Sequence, residues 1–301
     1  MIKQQKDQPL VSIITPSFNQ GSFIEETIQS VFVQDYSNIE YIVMDGGSTD
    51  NTIEILKRYE GKLHWVSEKD RGQTDAINKG FRMAKGDIFA WLNSDDVYLP
   101  GAVSKAVTYL KSYPDIGMVY GKTKFCNIKS QVVGEYPTEP LNYKRLAVFN
   151  FICQPSVFFR KEVLYAVGGL DLKLHYAMDY DLWIRIVNRF GVNYLPEFLS
   201  MYRLHGESKT VAETSALGRN EECLRTVIKY YGWAPANRVY GYHSNRVIST
   251  IPIYLRRIKP LIIILALMVS FKEYIRLNKG IKLYDIRQLL PGNIKKIFTG
   301  Y

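Results

Sequence analysis

Strand-like and helix-like segments alternate through the first third of the chain, and this alternation constrains the fold more than any other feature. Four short runs rich in β-branched and aromatic residues are bounded by turn-forming residues: 10–15, 39–45, 63–68 and 87–92. Helical patterns lie between them, and the first opens with a capping box formed by Ser22 and Glu25. Such alternation predicts an α/β fold with a mainly parallel sheet and helices on both faces.

Charge is distributed unevenly along the 301 residues, whose net charge is +10. Residues 238–301 contain twelve Lys and Arg but only two acids, so this segment carries the net charge and residues 1–237 are neutral. A nucleic-acid partner is not expected, because the basic residues of such proteins usually lie on the domain that makes the contact. We predict a folded domain over 1–237 and a basic helical appendage over 238–301.

The appendage mixes apolar and basic residues. Its apolar positions include Ile251, Ile253, Leu255 and the run 261–269, and the cations among them are Arg256, Arg257 and Lys259. A bilayer crossing needs roughly 20 apolar residues, so this run is too short, and the polar start of the chain is unlike a secretory signal. Two interpretations stay open: an element on an anionic membrane surface, or a helical hairpin that packs on the domain or forms an oligomer contact.

Polar clusters follow the ends of the four predicted strands, at 15–20, 45–50, 68–72 and 93–96. Ligands of an open α/β sheet bind at the carboxyl ends of its strands, so we expect one site from these clusters. The adjacent carboxylates of Asp95 and Asp96 suit a hard cation such as Mg²⁺, which completes its shell with phosphate oxygens and water. The glycine-rich phosphate loops GxxxxGK[ST] and GxGxxG are absent.

The second half of the chain supplies another carboxylate, at the start of a helix predicted from about residue 179. Asp179 precedes Trp183 and Ile186 at helical spacing, so it shares their inward face. An inward carboxylate beside a cleft suits proton abstraction. Asp181 lies on another face, four residues before Arg185, where an ion pair is expected.

A last polar segment contains His205, flanked by Arg203 and Lys209. Both cations can neutralise phosphate. The three cysteines lack the spacing of a metal site or a CxxC motif, so reduced thiols are expected at Cys126, Cys153 and Cys223.

Purely structural roles remain open for the same residues. Asp45 can stabilise a turn with its two glycines, and Asp95 or Asp96 can cap a helix that begins near Pro100. Phe18 can be a core aromatic. The carboxylate of Asp179 can interact with the dipole of its helix, and His205 can be a structural histidine.

Five segments in this order resemble the family 2 glycosyltransferases of the GT-A fold: ITPSFNQ, IVMDGGSTDNT, SEKDRGQTDAINKGFRMAKGD, WLNSDD and MDYDLWIR. The resemblance covers about residues 9–210. It implies that the nucleotide contacts Pro16, Ser17, Phe18 and Asn19. It also implies that Asp45 hydrogen-bonds the base, normally uracil, and that Asp70 and Arg71 form an acidic and basic pair in the donor site.

The D-x-D motif of the family matches Asn93-Ser94-Asp95, with Asn in place of the first Asp. The resemblance implies that Asp95 binds Mn²⁺ or Mg²⁺, with Asp96 as a close neighbour in the donor site. His205 matches a histidine that helps some relatives to hold the metal or the diphosphate. The base motif Glu-Asp matches Met178-Asp179, which keeps the aspartate that acts as the base.

The activity that the resemblance implies is an inverting transfer of a hexosyl or N-acetylhexosaminyl group from a nucleotide sugar, expected to be a UDP-sugar, to an acceptor hydroxyl. The Q-x-x-R-W motif of processive members is absent after Asp181, so one sugar is expected per encounter. A lipid-linked saccharide for cell-surface polysaccharide is the expected acceptor, met at the cytoplasmic face of the membrane.

Two alternatives are kept beside this activity. A sugar nucleotidylyltransferase would carry a G-x-G-[TS]-R loop after the first strand, and this chain has 16–19 in its place. A non-catalytic nucleotide-sugar-binding or scaffold protein on the same fold is the other alternative, and the presence of both Asp95 and Asp179 argues against it.

Overall fold

The structure is a computed structural model that describes residues 8–206, 208, 213–252, 254 and 258–288. It divides into two compact units. The first comprises Met1–Asn142 and Phe151–His205, and the second comprises Tyr143–Asn150 and Gly206–Tyr301. Several residues singled out above lie outside the described residues, namely Lys209, Ile253, Leu255, Arg256 and Arg257.

The first half of the first unit follows the predicted alternation. Its strands are β1 (Val11–Ser17), β2 (Ile39–Asp45), β3 (His64–Ser67) and β4 (Ile88–Trp91). The helices between them are α1 (Ile24–Phe32), α2 (Thr52–Lys57) and α3 (Gln73–Met83). The four strands are parallel in the order β3-β2-β1-β4, and Asp45 pairs with both Ser17 and Ser67. This register brings the carboxyl ends of β1, β2 and β3 together.

The second half of the first unit makes the sheet mixed. It contributes β5 (Val97–Tyr98), α4 (Ala102–Ser112), β6 (Ile116–Cys126), β7 (Val132–Glu135), β8 (Val157–Arg160), α6 (Lys161–Val167), α7 (Met178–Val187) and β9 (Gly191–Arg203). Over the described residues the sheet runs β3-β2-β1-β4-β8-β6-β9-β5, with β7 beside β6. β8 is antiparallel to both β4 and β6, whereas β9 is parallel to β6. The predicted parallel pairing therefore holds for β1–β4 and gives way to mixed pairing beyond β4.

Helices cover both faces of the sheet, as predicted. On one face Ile13, Val43 and Ala90 pack with buried residues of α1 and α4. On the other face Trp183 of α7 stacks on Trp91 of β4, with ring centroids 5.4 Å apart. Side chains alternate along a strand, so neighbouring residues of β4 serve opposite layers.

Two helix starts differ from the sequence-based expectation. The capping box of Ser22 and Glu25 does not form, because α1 begins at Ile24 without a side-chain cap and Glu25 bonds Arg58 instead. Helix α4 begins at Ala102, and its N-cap is Gly101 in the left-handed region. Asp95 and Asp96 therefore do not cap it.

The second unit is helical, with α5 (Tyr143–Val148), α8 (Ala216–Tyr231), α9 (Ala236–Thr250), α10 (Lys259–Asn278) and α11 (Leu283–Gln288). Its core joins Leu224, Ala234, Val239 and Tyr274, and Tyr274 donates a hydrogen bond to Asp285 at 2.6 Å. The unit thus includes α8, and it divides the chain differently from the predicted boundary at 237/238. The packing does not change at residue 238, where the charge does, because Leu224 of α8 belongs to the same apolar cluster as α9 and α10.

The predicted apolar run lies within α10. Across the described part of the chain, no helix combines the length and apolar composition that a bilayer crossing requires.

Candidate active site

Asn19 fastens the loop after β1 to the loop after β2. Its backbone N–H donates to Ser48 Oγ at 2.7 Å, and its Oδ1 accepts from Thr49 N–H at 2.8 Å. Asn19 has φ of 52°, in the left-handed region that asparagine tolerates better than most residues. The residue predicted to contact the nucleotide therefore also sets the shape of both loops.

Asp45 is buried at the end of β2 and stabilises the turn that follows. Its Oδ2 accepts from the N–H groups of Gly47 and Ser48 at 3.0 and 2.9 Å, and from Ser67 Oγ at 2.6 Å. Its Oδ1 accepts only from Ser48 Oγ among the contacts that the described residues make. Because a carboxylate oxygen can accept at least two hydrogen bonds, Oδ1 can accept another from a ligand N–H. The turn role and the predicted base contact are thus compatible.

Phe18 is the exposed member of the first cluster. Pro16 and Ser17 are buried, whereas Phe18 is 59% exposed, which excludes the core interpretation. An exposed ring beside a strand end offers a surface on which a nucleobase can stack. The Ser17 hydroxyl is buried without a hydrogen-bond partner among the described residues.

Asp70 and Arg71 are adjacent in sequence but interact with different groups. Asp70 accepts from Gly72 N–H at 2.7 Å and lies against Gly46, where a Cβ atom would stand 2.8 Å from Asp70 Oδ2. Arg71 is largely exposed, and its guanidinium pairs with Asp75 in the first turn of α3 at 3.1 Å. The predicted acidic and basic pair is therefore not an ion pair of Asp70 with Arg71, although both side chains belong to the β3–α3 loop.

Asn93 is fixed by three side chains that hydrogen-bond its amide. Its Oδ1 accepts from Gln73 Nε2 at 2.8 Å, and its Nδ2 donates to Asp96 Oδ2 at 3.2 Å and to Gln154 Oε1 at 3.0 Å. Gln154 in turn donates to the carbonyl of Trp91 at 2.6 Å. An aspartate at 93 would lose both donated bonds and bring a second negative charge beside Asp96, which explains the asparagine at this position. Sequence reasoning missed Gln73 and Gln154, since glutamine carries no motif signal.

Asp95 is partly exposed in the β4–β5 turn and contacts the buried side chain of His205. Asp95 Oδ2 lies 2.9 Å from His205 Nε2, and the carboxylate side chain is 21% exposed. The imidazole packs on the ring of Phe23, with centroids 4.9 Å apart. The structure thus brings together the two residues that the sequence assigns to a metal, which lie 110 positions apart.

Asp96 is buried, although it is the neighbour of Asp95 in sequence. Burial, and next the negative charge of Asp95, raise the pKa of the Asp96 carboxyl well above its ordinary value. Asp96 accepts hydrogen bonds from Asn93 and from the backbone N–H of Arg203 at 3.1 Å. Asp96 therefore stabilises the β4–β5 turn from its buried side. Ser94 is also buried, and its carbonyl accepts a hydrogen bond from Thr27.

Arg203 holds this turn in place. The side chain is fully buried and donates to the carbonyls of Asp95 and Asn127, at 2.8 and 3.1 Å, and to Glu26 at 2.7 Å. Its guanidinium also lies over the ring of Phe23, 5.1 Å from the centroid. Interpreting Arg203 as a phosphate contact was therefore wrong, because a fully buried guanidinium with these partners cannot reach a ligand.

Asp179 opens α7, as predicted. Part of the residue is accessible, yet protein surrounds its carboxylate, and this burial raises the pKa of Asp179 to about 6. Its Oδ1 accepts from the N–H of Tyr180 at 2.7 Å. Thr74 of α3 positions the start of the helix by donating to the carbonyl of Leu174 at 2.8 Å. The predicted ion pair of Asp181 with Arg185 is confirmed, with a separation of 2.7 Å, and Asp181 is buried.

Cys153 is buried within electrostatic range of both Asp96 and Asp179. Burial raises the pKa of its thiol well above the ordinary value, and the negative charges of Asp96 and Asp179 raise it further. Both carboxylates therefore act on one buried sulfur atom. Adjacent residues of α3 also link the D-x-D turn to the start of α7, because Gln73 donates to Asn93 at 2.8 Å and Thr74 donates to Met178 Sδ at 2.9 Å.

Asp95 and His205 are the side chains best placed to hold a cation. Among the described residues no group of three or more His, Cys, Asp or Glu has the geometry of a complete protein site. An oxygen and an imidazole nitrogen fit a divalent ion that takes its remaining ligands from phosphate and water. The donor set therefore fits a metal that is bound together with a diphosphate.

Comparison with known proteins shows the family of this chain. The family profile described as Glycosyl transferase family 2 matches residues 12–168. An uncharacterized glycosyltransferase of Rickettsia typhi is 30% identical over 234 residues, which covers 73% of this chain and 71% of that protein.

Two solved structures share the fold. The S. aureus TarS 1–349 in complex with UDP-GlcNAc has a TM-score of 0.63 at 17% identity and covers 89% of this chain and 81% of that chain. The mannosyltransferase PcManGT from Pyrobaculum calidifontis, in complex with GDP-Man and Mn²⁺, has a TM-score of 0.54 at 18% identity, with 98% and 82% covered. The structures confirm the predicted fold, and the profile and the relative show the family. This chain belongs to glycosyl transferase family 2.

Proposed function

We propose that this glycosyltransferase moves one sugar from a nucleoside-diphosphate sugar to an acceptor hydroxyl, with inversion at the anomeric carbon. One observation carries the proposal above the others. The Asp179 carboxylate, whose pKa is about 6, and the pair of Asp95 and His205 are linked through α3, where Gln73 donates to Asn93 in the turn of Asp95 and the next residue, Thr74, donates to Met178 beside Asp179. A base and a cation site that are close together suit a displacement at the anomeric carbon. The base would take the proton of the acceptor hydroxyl, and the cation would neutralise the charge of the leaving diphosphate.

The donor nucleotide is proposed to lie over the ends of β1 and β2. Phe18 offers an exposed ring for the base, and the free acceptor site of Asp45 Oδ1 suits a base N–H. Uracil has such a group at N3, which supports a UDP-sugar. The complexes of TarS with UDP-GlcNAc and of PcManGT with GDP-Man support a nucleoside-diphosphate sugar in general. A hexosyl or N-acetylhexosaminyl group is the proposed sugar.

Asp95 and His205 are proposed to hold Mn²⁺ or Mg²⁺ together with the donor diphosphate. The Mn²⁺ in the PcManGT complex supports a divalent metal for this chain. When bound, the ion would neutralise the negative charge of the leaving diphosphate. Arg203 and Asn93 keep the turn that carries Asp95 in one conformation, so the carboxylate is oriented before the donor arrives.

Asp179 is proposed to accept the proton of the acceptor hydroxyl while that oxygen attacks the anomeric carbon. The carbon–oxygen bond to the diphosphate breaks as the new glycosidic bond forms, and the proton moves to the carboxylate. A carboxylate with a pKa of about 6 is largely ionised at neutral pH. It is also a stronger base than an ordinary aspartate, which favours proton transfer.

The acceptor is proposed to be a lipid-linked saccharide for cell-surface polysaccharide, met at the cytoplasmic face of the membrane. The basic residues after 238 support this choice. The absence of a Q-x-x-R-W motif supports one sugar per encounter.

Release of nucleotide tests the activity. The purified chain would be incubated with UDP-, GDP- and dTDP-sugars, with Mn²⁺ or with EDTA, and released nucleoside diphosphate would be measured. We expect release from one nucleotide class that requires the metal. Binding of a nucleotide sugar without any release, with metal and a saccharide acceptor present, would instead support the non-catalytic alternative.

A further inference from the structure

One face of α10 is apolar and exposed. Ile264, Leu267, Met268 and Phe271 follow one another at helical spacing and are 48–66% exposed. The other side of the helix is buried at Ala266, Ser270 and Tyr274. A contiguous exposed apolar face of this kind marks an interaction surface.

A row of cations borders this face. Lys272 and Arg276 lie one turn apart on α10, Lys279 follows as its C-cap, and all three are exposed. Arg276 pairs with Glu273, whereas Lys272 and Lys279 form no ion pair with any described residue. The row keeps a positive charge beside the apolar face.

A cavity of about 520 Å³ lies between α9 and α10, next to this row. Its polar lining comes from His243 and Arg246 of α9 and from Lys272 and Glu273 of α10. His243 is 4% exposed, and its Nδ1 has no hydrogen-bond partner among the described residues. Arg276 outside the lining also pairs with Glu273, so the two cations of the cavity outweigh its one carboxylate, and the unpaired Nδ1 of His243 adds a polar contact for an anion.

We propose that this surface binds an anionic lipid: the phosphate headgroup enters the cavity at Arg246 and Lys272, and the exposed face of α10 enters the acyl boundary. Amphipathic helices bind membranes in this way, by apolar burial together with attraction to anionic headgroups. A second copy of the chain is a poorer occupant, since an antiparallel twofold contact through this face would bring the two cationic rows to the same side. The proposal concerns a surface of the second unit and does not depend on the donor sugar.

Co-sedimentation with vesicles tests the surface in the full chain. We expect binding to phosphatidylcholine vesicles that contain phosphatidylglycerol, and much weaker binding to pure phosphatidylcholine. Raising the salt concentration should weaken the binding, because salt screens exposed charges. Inorganic phosphate, compared with chloride at equal ionic strength, should not displace the vesicles, since a free anion does not replace the apolar contact. Displacement by phosphate would overturn the lipid as the ligand.

Charge and apolar variants identify the residues. Arg246→Gln with Lys272→Gln should lower the partition into anionic vesicles roughly 30-fold, the effect of two cations near an anionic surface. The matched control is Arg225→Gln with Lys229→Gln on α8, which removes the same charge elsewhere and should change binding little. Leu267→Ser with Met268→Ser should lower binding to both vesicle types, unlike Val132→Ser with Val133→Ser on exposed β7. Equal losses in variants and controls would overturn the assignment.

Fluorescence gives a second measurement, made on a variant in which the exposed face of α10 stays apolar. The Phe271→Trp variant should show a blue-shifted emission with anionic vesicles, and quenching by lipids brominated in the acyl chain. Sedimentation velocity without vesicles gives the oligomeric state. A dimer that the Leu267→Ser and Met268→Ser changes dissociate, together with an unshifted emission from the Phe271→Trp variant, would show that the face binds a second copy instead.

Discussion

At the scale of single residues, burial and hydrogen-bond partners give three carboxylates different roles. Asp96 is enclosed behind the D-x-D turn, and Asp181 is committed to Arg185. Asp179 is partly accessible and has no cation partner among the contacts described for it. Its carboxylate, with a raised pKa, is therefore available for proton transfer. Neighbouring carboxylates thus differ in chemistry because their surroundings differ.

Asp179→Asn tests the base. Transfer should fall about 10²–10⁴-fold, the usual contribution of a general base, while the dissociation constant for the nucleotide stays within about threefold. In the wild type, kcat/KM should rise with pH through about 6, because the base works only when deprotonated and its folded-state pKa is raised to about that value. Turnover measurements give the loss of transfer and the pH dependence, and titration calorimetry gives the dissociation constant for the nucleotide. Wild-type turnover in the variant would contradict the assignment.

Asp95→Asn and His205→Ala test the cation site. Each change removes one of the two side chains that meet at 2.9 Å, so the Mn²⁺ concentration needed for half-maximal nucleotide release should rise at least about tenfold. Calorimetry of Mn²⁺ binding in the presence of UDP gives a readout that does not require transfer. His64→Ala, at an exposed position of β3, is the control, and an equal shift in that variant would argue against a direct role for His205.

At the scale of elements, Arg203 joins the end of β9 to α1, to the β4–β5 turn and to the β6–β7 turn. The sequence neighbours Glu25 and Glu26 of α1 each pair with an arginine, but Glu25 pairs with exposed Arg58 and Glu26 with buried Arg203. The two pairs therefore form a matched comparison on one helix. The surroundings of the arginine, rather than the pairing itself, should decide the effect of its removal.

Arg203→Ala should lower the free energy of unfolding by on the order of 3 kcal/mol or more, because two main-chain carbonyls lose their donors in a buried position. Arg58→Gln should cost at most about 1 kcal/mol, as exposed pairs usually do. Urea unfolding followed by circular dichroism measures both. A similar loss of unfolding free energy in the two variants would show that buried Arg203 does not stabilise these elements more than an exposed ion pair does.

At the scale of the whole molecule, the second unit takes one helix from the middle of the chain. Tyr143 of α5 packs against Tyr231 of α8, with ring centroids 4.5 Å apart, and Asn237 donates to the carbonyl of Val148 at 2.9 Å. The helical unit is therefore assembled from segments on both sides of β8, β9 and α7. A domain boundary placed at residue 238, where the net charge changes, does not coincide with the boundary of this packed unit.

A chain that ends at residue 237 should show the consequence. Removing α9 and α10 uncovers Leu224 and the other apolar residues of the α8 cluster, so the shortened chain should bind 8-anilinonaphthalene-1-sulfonate several-fold more strongly and aggregate at lower temperature. Dye fluorescence and light scattering during heating measure these changes against the full chain. Unchanged dye binding would instead favour 1–237 as an independent domain.

The sequence alone determined the order of strands and helices in the first half, the edge of the sheet where the polar clusters meet, and the inward position of Asp179. Those conclusions rest on local periodicity and on the direction of parallel strands, which residues a few positions apart can express. Only the tertiary structure decided that Arg203 is buried, that Gln73 and Gln154 clamp Asn93, and that α5 joins the helical unit. Each depends on contacts between segments far apart in the chain, where burial and hydrogen-bond partners, rather than residue type, set what a side chain does.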